Sequence, residues 1–308
     1  MKAVMYHYVR EYRDELPHFR FLDIQNFRKQ LDFFAATYGF VTYDEWCRYL
    51  SDGTMPETPG KVLLTFDDAL SCHFRYVFSE LKSRRLWGIF YVPSLPYVEH
   101  RILDVHRIHL LCGAFEGKRL LDYAVTTISK EMIPERKREE FETETYAHQL
   151  NHEGVSQFKR LLNYFVDYAY RSEILDAIGR RFGFDFEIPN FYMTVEQIRE
   201  MADANMLIGS HTRSHPVMSR LSAAEQSVEI ESSFDFLSSV CALPVRTYCH
   251  PYGGFHSFNC DTIHLLNGFG VKFSFNVQSR EVVYQDRLDS IQHLPRFDCN
   301  EFQFGSAS

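Results

Sequence analysis

Short apolar runs rich in β-branched and aromatic residues recur along the chain, and stretches of helical periodicity separate most of them. The runs are Ala3–Tyr6, Phe40–Tyr43, Lys61–Phe66, Gly88–Val92, Met206–Ser210, Arg246–His250, Val271–Val277 and His293–Phe297. Runs of this kind read as buried strands. Between them, Asn26–Tyr38 carries Phe27, Leu31, Phe34 and Ala35 at helical spacing. Thr194–Ala204 opens with Thr194 as N-cap and Gln197 three residues on, a capping box, and Ser222–Val240 repeats the device with Ser222 and Glu225. Strands alternating with helices imply parallel βα units, hence an α/β barrel or an open sheet. A chain of 308 residues, 45% hydrophobic, is long for one ordinary domain but can fill a single barrel of this class. Trp46, at a helix start, and Trp87, before a strand, read as packed core.

One region breaks the rhythm. From Pro96 to about Asn190 there is no clear strand but many charges and helical patterning, as in Ile133–Thr145 and Phe158–Phe182. The region 96–190 reads as a helical insertion within a single barrel domain spanning 1–308. Insertions of this type shape access to an active-site face or form a contact between subunits, so an oligomer through this segment is one expectation. His100, His106 and His109 lie close together in it. They read as packing or solvated histidines, with a second metal site as the alternative. Arg136, Lys137 and Arg138 read as a solvated helix face.

A net charge of -8 without basic runs argues against nucleic acid or an anionic membrane as partner. No stretch of about 18 apolar residues suggests a membrane span. The seven cysteines are scattered and form no CxxC pair, so neither a zinc ribbon nor a thioredoxin-type site is indicated. Scattered cysteines, read as reduced, and the absence of a signal-like apolar start suggest a cytoplasmic protein as the expectation.

Three segments carry candidate chemistry. The run Leu63-Leu64-Thr65-Phe66 ends in Asp67-Asp68. Side chains alternate along a strand, so neighbouring carboxylates at its end point to different places, one free to bind a metal and the other to handle a proton. In an α/β barrel, catalytic groups gather at this end of the strands. Alone, the pair would more readily read as the cap of a helix or a turn. The second segment, Gly209-Ser210-His211-Thr212-Arg213-Ser214-His215-Pro216, follows an apolar run. Two histidines four apart on one helical turn present their imidazoles on the same side. With one carboxylate they make a His₂Asp metal set with open positions. The third, Tyr248-Cys249-His250-Pro251-Tyr252-Gly253-Gly254, reads as a tight loop after a strand, able to aim a backbone N–H at a developing oxyanion.

The ordered trio Thr-Phe-Asp-Asp, Ser-His-Thr-x-x-His-Pro and Pro-Tyr-Gly-Gly resembles the polysaccharide deacetylase family, also called the NodB-homology domain, over about 1–95 and 190–300. The opening Met5-Tyr6-His7-Tyr8-Val9 resembles its divergent branch, which includes the biofilm poly-N-acetylglucosamine deacetylases. The resemblance implies a distorted (β/α)7-type barrel and a divalent metal, zinc foremost, with cobalt, nickel or manganese as alternatives. It implies hydrolysis of N-acetyl groups, or sometimes O-acetyl esters, on an amino sugar in a polysaccharide or glycan precursor. Position by position, Asp67 resembles the catalytic base, Asp68, His211 and His215 the metal triad, and the Tyr252 N–H the oxyanion donor.

Two departures stand out. The arginine that orients the base in the family is Cys249 here, and Arg296, at the end of the last predicted strand, is the candidate to supply the guanidinium instead. The late Leu-x-His and Asp-Trp segments have no counterpart, which leaves His293 as the candidate general acid, with His250 and His7 as rivals. Two other readings remain: a non-sugar amide or imide hydrolase on the same fold, and a non-catalytic glycan-binding relative.

Overall fold

The computed structural model describes residues 1–12, 14–134 and 154–307. The basic cluster Arg136, Lys137 and Arg138, and most of the helix expected over 133–145, lie outside the described residues. Backbone contacts divide the chain into two compact units, one of residues 1–11, 21–100 and 190–308, the other of residues 12–20 and 101–189.

The first unit carries a seven-stranded sheet, all of its pairs parallel. Its strands are β1 (Lys2–Tyr6), β4 (Val62–Phe66), β5 (Ile89–Val92), β6 (Leu207–Ser210), β7 (Thr247–Cys249), β8 (Phe273–Phe275) and β9 (Phe297–Asp298). Their order is β8-β7-β6-β5-β4-β1-β9. The segment leading into β9 meets both ends of the sheet. Leu294 bridges Phe275 of β8, and Phe297 and Asp298 pair with Val4 and Met5 of β1. The sheet therefore curls back on itself, as the expected distorted (β/α)7-type barrel requires. Two short strands outside it, β2 (Val9–Arg10) and β3 (Leu22–Asp23), pair with each other and have no apolar run to announce them.

Alternation along the strands sorts the core into an inner and an outer set. Ala3, Leu63, Ile89, Tyr91, Phe273 and Phe275 pack in one cluster with Trp46. Their neighbours Val4, Leu64, Phe66, Phe90 and Ile208 pack in another with Phe27, Leu31 and Phe34 of the helix Ile24–Thr37. Burial of each leucine, isoleucine, valine or phenylalanine among them is worth about 1.5–3 kcal/mol. The capping boxes expected at Thr194 and Ser222 are formed, and the helices there run Val195–Asp203 and Ala223–Val240.

Two expected strands are corrected. Over 40–43 only Phe40 bridges Val62, because Thr42 caps the helix Tyr43–Asp52 and draws the chain out of the sheet. Over 293–297 the chain starts as a 3-10 turn, Ile291–His293. Pro295 has no N–H to offer a ladder, and pairing with β1 begins only at Phe297.

The second unit is built from helices, among them Asp104–Ala114, Gly117–Thr127, Val155–Arg160 and Tyr168–Phe182. The segment 12–20 joins it through His18 N–H donating to the Gly113 carbonyl. Arg107 and Arg171 share the buried Asp104 carboxylate, at 3.2 and 3.3 Å. The His106 and His109 rings are 6.0 Å apart, and neither belongs to a metal-type cluster among the described residues. No helix among the described residues is long and apolar enough to cross a membrane.

Candidate active site

Inward alternation on β4 runs Leu63, Thr65, then Asp67, which brings this carboxylate to the C-terminal mouth of the barrel. Asp68 and Ala69 take left-handed φ values of 84° and 53°, turning Asp68 out of the strand register. The adjacent carboxylates thus serve two places, as expected from their position at a strand end.

Asp68 Oδ1 lies 3.6 Å from His211 Nε2 and 3.5 Å from His215 Nε2. These separations are too long for hydrogen bonds. They match the roughly 3.4 Å between two atoms that both ligate one tetrahedral cation at about 2.1 Å. His211 Nδ1 is 2.9 Å from the Cys249 carbonyl, which can only accept, so Nδ1 carries the proton and Nε2 keeps its lone pair for the site. Burial holds the His211 pKa below the ordinary value against the pull of Asp67 and Asp68, which favours the neutral ligand form. The donor set therefore fits a divalent ion.

The two histidines are not on a helical turn. Thr212 and His215 adopt φ of 64° and 58°, and Pro216 disfavours a helical conformation at His215. Their rings meet at 4.7 Å through an irregular loop, in which His215 N–H donates to Thr212 Oγ1 at 2.9 Å.

Asp67 is held by Arg296, whose Nη1 and Nη2 reach Oδ1 and Oδ2 at 2.9 and 2.8 Å. Burial alone would raise the Asp67 pKa, but the guanidinium prevails and brings it to about 2. Arg296 is itself fixed by Thr65 Oγ1 at 3.0 Å and by the Asn276 carbonyl at 3.4 Å. The Cys249 thiol, its own pKa pushed up by burial, lies 2.9 Å from Arg296 Nη2. A second metal-type trio, Asp67, His211 and Cys249, exists on paper. The guanidinium already bound to two of its members repels a cation from that position.

Tyr252, Gly253 and Gly254 all lie in the left-handed region, at φ of 65°, 67° and 75°, and fold the loop so that the Tyr252 ring sits 4.9 Å from that of His215. His293 packs between Phe255 and Phe258, at 5.6 and 5.7 Å, and His250 stacks on Phe258 while its Nε2–H donates to the Gln292 carbonyl. Burial lowers the His250 pKa to about 3. His7, at the end of β1, has its Nε2 3.9 Å from Asp67 Oδ2 and a side chain 39% exposed. Of the three candidate histidines, it is the one that stands beside Asp67.

Three supporting residues had not been singled out in the sequence. Thr65 shares the inward register of Asp67, which could have marked it. His73 is fully buried, and its Nε2–H donates to the His7 carbonyl at 2.6 Å. It opens a π-helical turn, His73–Phe78, whose winding no simple periodicity signals. Glu229, on the helix Ala223–Val240, accepts from Ser214.

A family model described as polysaccharide deacetylase matches residues 177–274, which hold His211, His215 and Tyr252. No curated protein gives a significant sequence match. The Streptococcus pyogenes deacetylase PplD, solved in complex with acetate, superposes with a TM-score of 0.58 at 15% identity, covering 97% of this chain and 91% of that one. A polysaccharide deacetylase from Bacillus cereus gives 0.54 at 12%, over 96% of this chain and 64% of that one. A de-N-acetylase from Aggregatibacter actinomycetemcomitans gives 0.51 at 13%, over 96% and 93%. At these identities the neighbours show a shared fold.

Proposed function

From the polysaccharide deacetylase resemblance, which the family model bears out, we propose that the protein is a metal-dependent deacetylase of N-acetylated amino sugars in a polysaccharide or glycan precursor. The observation that carries the proposal is the pairing of two adjacent carboxylates with different partners: Asp68 facing two imidazoles, Asp67 gripped by Arg296.

Asp68, His211 and His215 would hold a divalent cation, zinc foremost, which would supply Lewis-acid polarisation of the acyl carbonyl and lower the pKa of the attacking water. Arg296 keeps Asp67 ionised and fixes its orientation, so that it can take a proton from that water. As the oxygen adds to the carbonyl carbon, the Tyr252 N–H donates to the developing oxyanion. The C–N bond then breaks, and the amine leaves with a proton from a general acid. His7 fits that role by its place beside Asp67, and His293 is the alternative. The products are acetate and the free amino sugar. A purely glycan-binding role was suggested by the missing arginine at Cys249; the bidentate Arg296 favours catalysis instead.

Protein loaded with zinc or cobalt is expected to release acetate from N-acetylglucosamine oligomers. Asp67→Asn should lower kcat by about 10²–10⁴-fold. His7→Ala should lower kcat far more than His293→Ala, and the reverse order would reassign the acid. Metal-loaded protein that releases no acetate from any N-acyl amino sugar would sink the proposal.

A further inference from the structure

The loop that carries both imidazoles is costly to hold. Thr212 and His215 are non-glycine residues in the left-handed region, at roughly 1–3 kcal/mol each, so the surroundings must over-determine the loop. Two neighbours do so. On one side Ser94 and Leu95 donate their N–H groups to the Thr212 and Arg213 carbonyls, at 3.2 and 2.8 Å, and Arg213 pairs with Glu99. On the other side is the helix Ala223–Val240. Its Glu229 and Ser233 are four residues apart and share a face. Ser210 Oγ donates to Ser233 Oγ at 2.8 Å, at the start of the loop. Glu229 takes both donors of Ser214, N–H at 2.7 Å and Oγ–H at 2.5 Å, one residue before His215.

Resting on the reading of Asp68, His211 and His215 as a metal triad, we infer that Glu229 is a positioning residue for the metal site. Its buried carboxylate clamps Ser214 and thereby sets the direction of the His215 imidazole. Glu229 is not itself one of the converging donors. It is a buried acid accepting two bonds from a single residue of the loop, on a helix that otherwise serves the outer core. A glutamate needed only for helix packing would have no reason to reach a backbone N–H in the ligand loop.

The test is a cobalt titration of the purified full chain, followed by the d–d absorption band and by competition with a chromophoric chelator. Glu229→Ala is expected to weaken cobalt binding about 10–100-fold and to alter the band, because loss of a group that orients a ligand costs this much. Glu229→Gln keeps one acceptor and should lie between that variant and wild type. Ser214→Ala removes one of the two donors and should show a smaller loss that is not additive with Glu229→Ala. Should Glu229→Ala fail to fold, the glutamine variant carries the test, with circular dichroism confirming its fold. Folded glutamate variants with wild-type cobalt affinity and band would overturn the inference, even if their apo forms melt earlier. Wild-type protein that binds no cobalt would overturn the triad reading itself, and the inference with it.

Discussion

At the scale of single residues, the decisive side chain is Arg296. It is 1% exposed and forms a two-bond fork with Asp67. Removing one member of a buried ion pair leaves the other charge unpaired, at about 3–5 kcal/mol. Arg296→Met should therefore lower the unfolding free energy by about that amount and abolish activity. Arg296→Lys keeps the charge but loses the fork, so it should restore much of the stability and little of kcat. Chemical denaturation and initial rates measure the two effects separately. Cys249→Ala is the control: the thiol is neutral and buried, and its removal should leave most of the activity. The meeting of Arg296 with Asp67 was legible because Arg296 lies at the end of an apolar run. The histidines were less so. His7 follows such a run, His250 ends one and His293 begins one, and only the fold distinguishes the one beside Asp67 from the two packed around Phe258.

At the scale of elements, the strands were readable where they are buried on both faces, as with Leu63–Phe66 and its partners. Errors fell where local chemistry overrides an apolar pattern: a capping threonine at 42, and a proline at 295. The HxxxH spacing marked the two imidazoles as neighbours but not their geometry, since convergence comes from two left-handed residues that sequence spacing does not reveal. The glycine loop allows a sharper test. Gly253 has φ of 67°, and a Cβ there would fall 2.2 Å from Val277 Cγ2. Gly253→Ala should displace Tyr252, destabilise the protein by upwards of about 1 kcal/mol, and reduce kcat more than KM changes. Glycan kinetics with a matched thermal melt decide it. In the first unit, Asp286 caps the helix Tyr284–Asp289, accepting from Arg280 at 2.8 and 2.7 Å and from Val283 N–H at 2.9 Å. Burial would raise its pKa, but Arg280 and these bonds lower it. A depressed folded-state pKa means that the stabilisation is complete above the ordinary carboxylate value of about 3.9 and is lost as pH falls through the lower folded value. The stability gap between wild type and Asp286→Asn should hold steady near neutrality and narrow only in strong acid, as denaturation at a series of pH values would show.

At the scale of the whole molecule, the question is whether the site holds the fold together or the fold holds the site. Beneath the triad the barrel is filled by Trp46, Tyr91, Phe273 and Phe275, all fully buried and none dependent on an ion. The proposed ligands have protein anchors of their own: His211 on the Cys249 carbonyl, and the loop before His215 on Thr212 and Glu229. On the proposed triad, a site preformed in this way would bind its ion without having to organise the chain, unlike a small zinc domain that unfolds when stripped. Chelation should therefore abolish activity while leaving the far-ultraviolet circular dichroism in place. Metal restored at about 100 times its dissociation constant adds about 2.7 kcal/mol through binding to the folded state alone. For a chain of this size that corresponds to a rise in Tm of several degrees. Loss of secondary structure on chelation would reverse the order of dependence, making the cation a structural element and the anchors around His211 and His215 consequences of its presence.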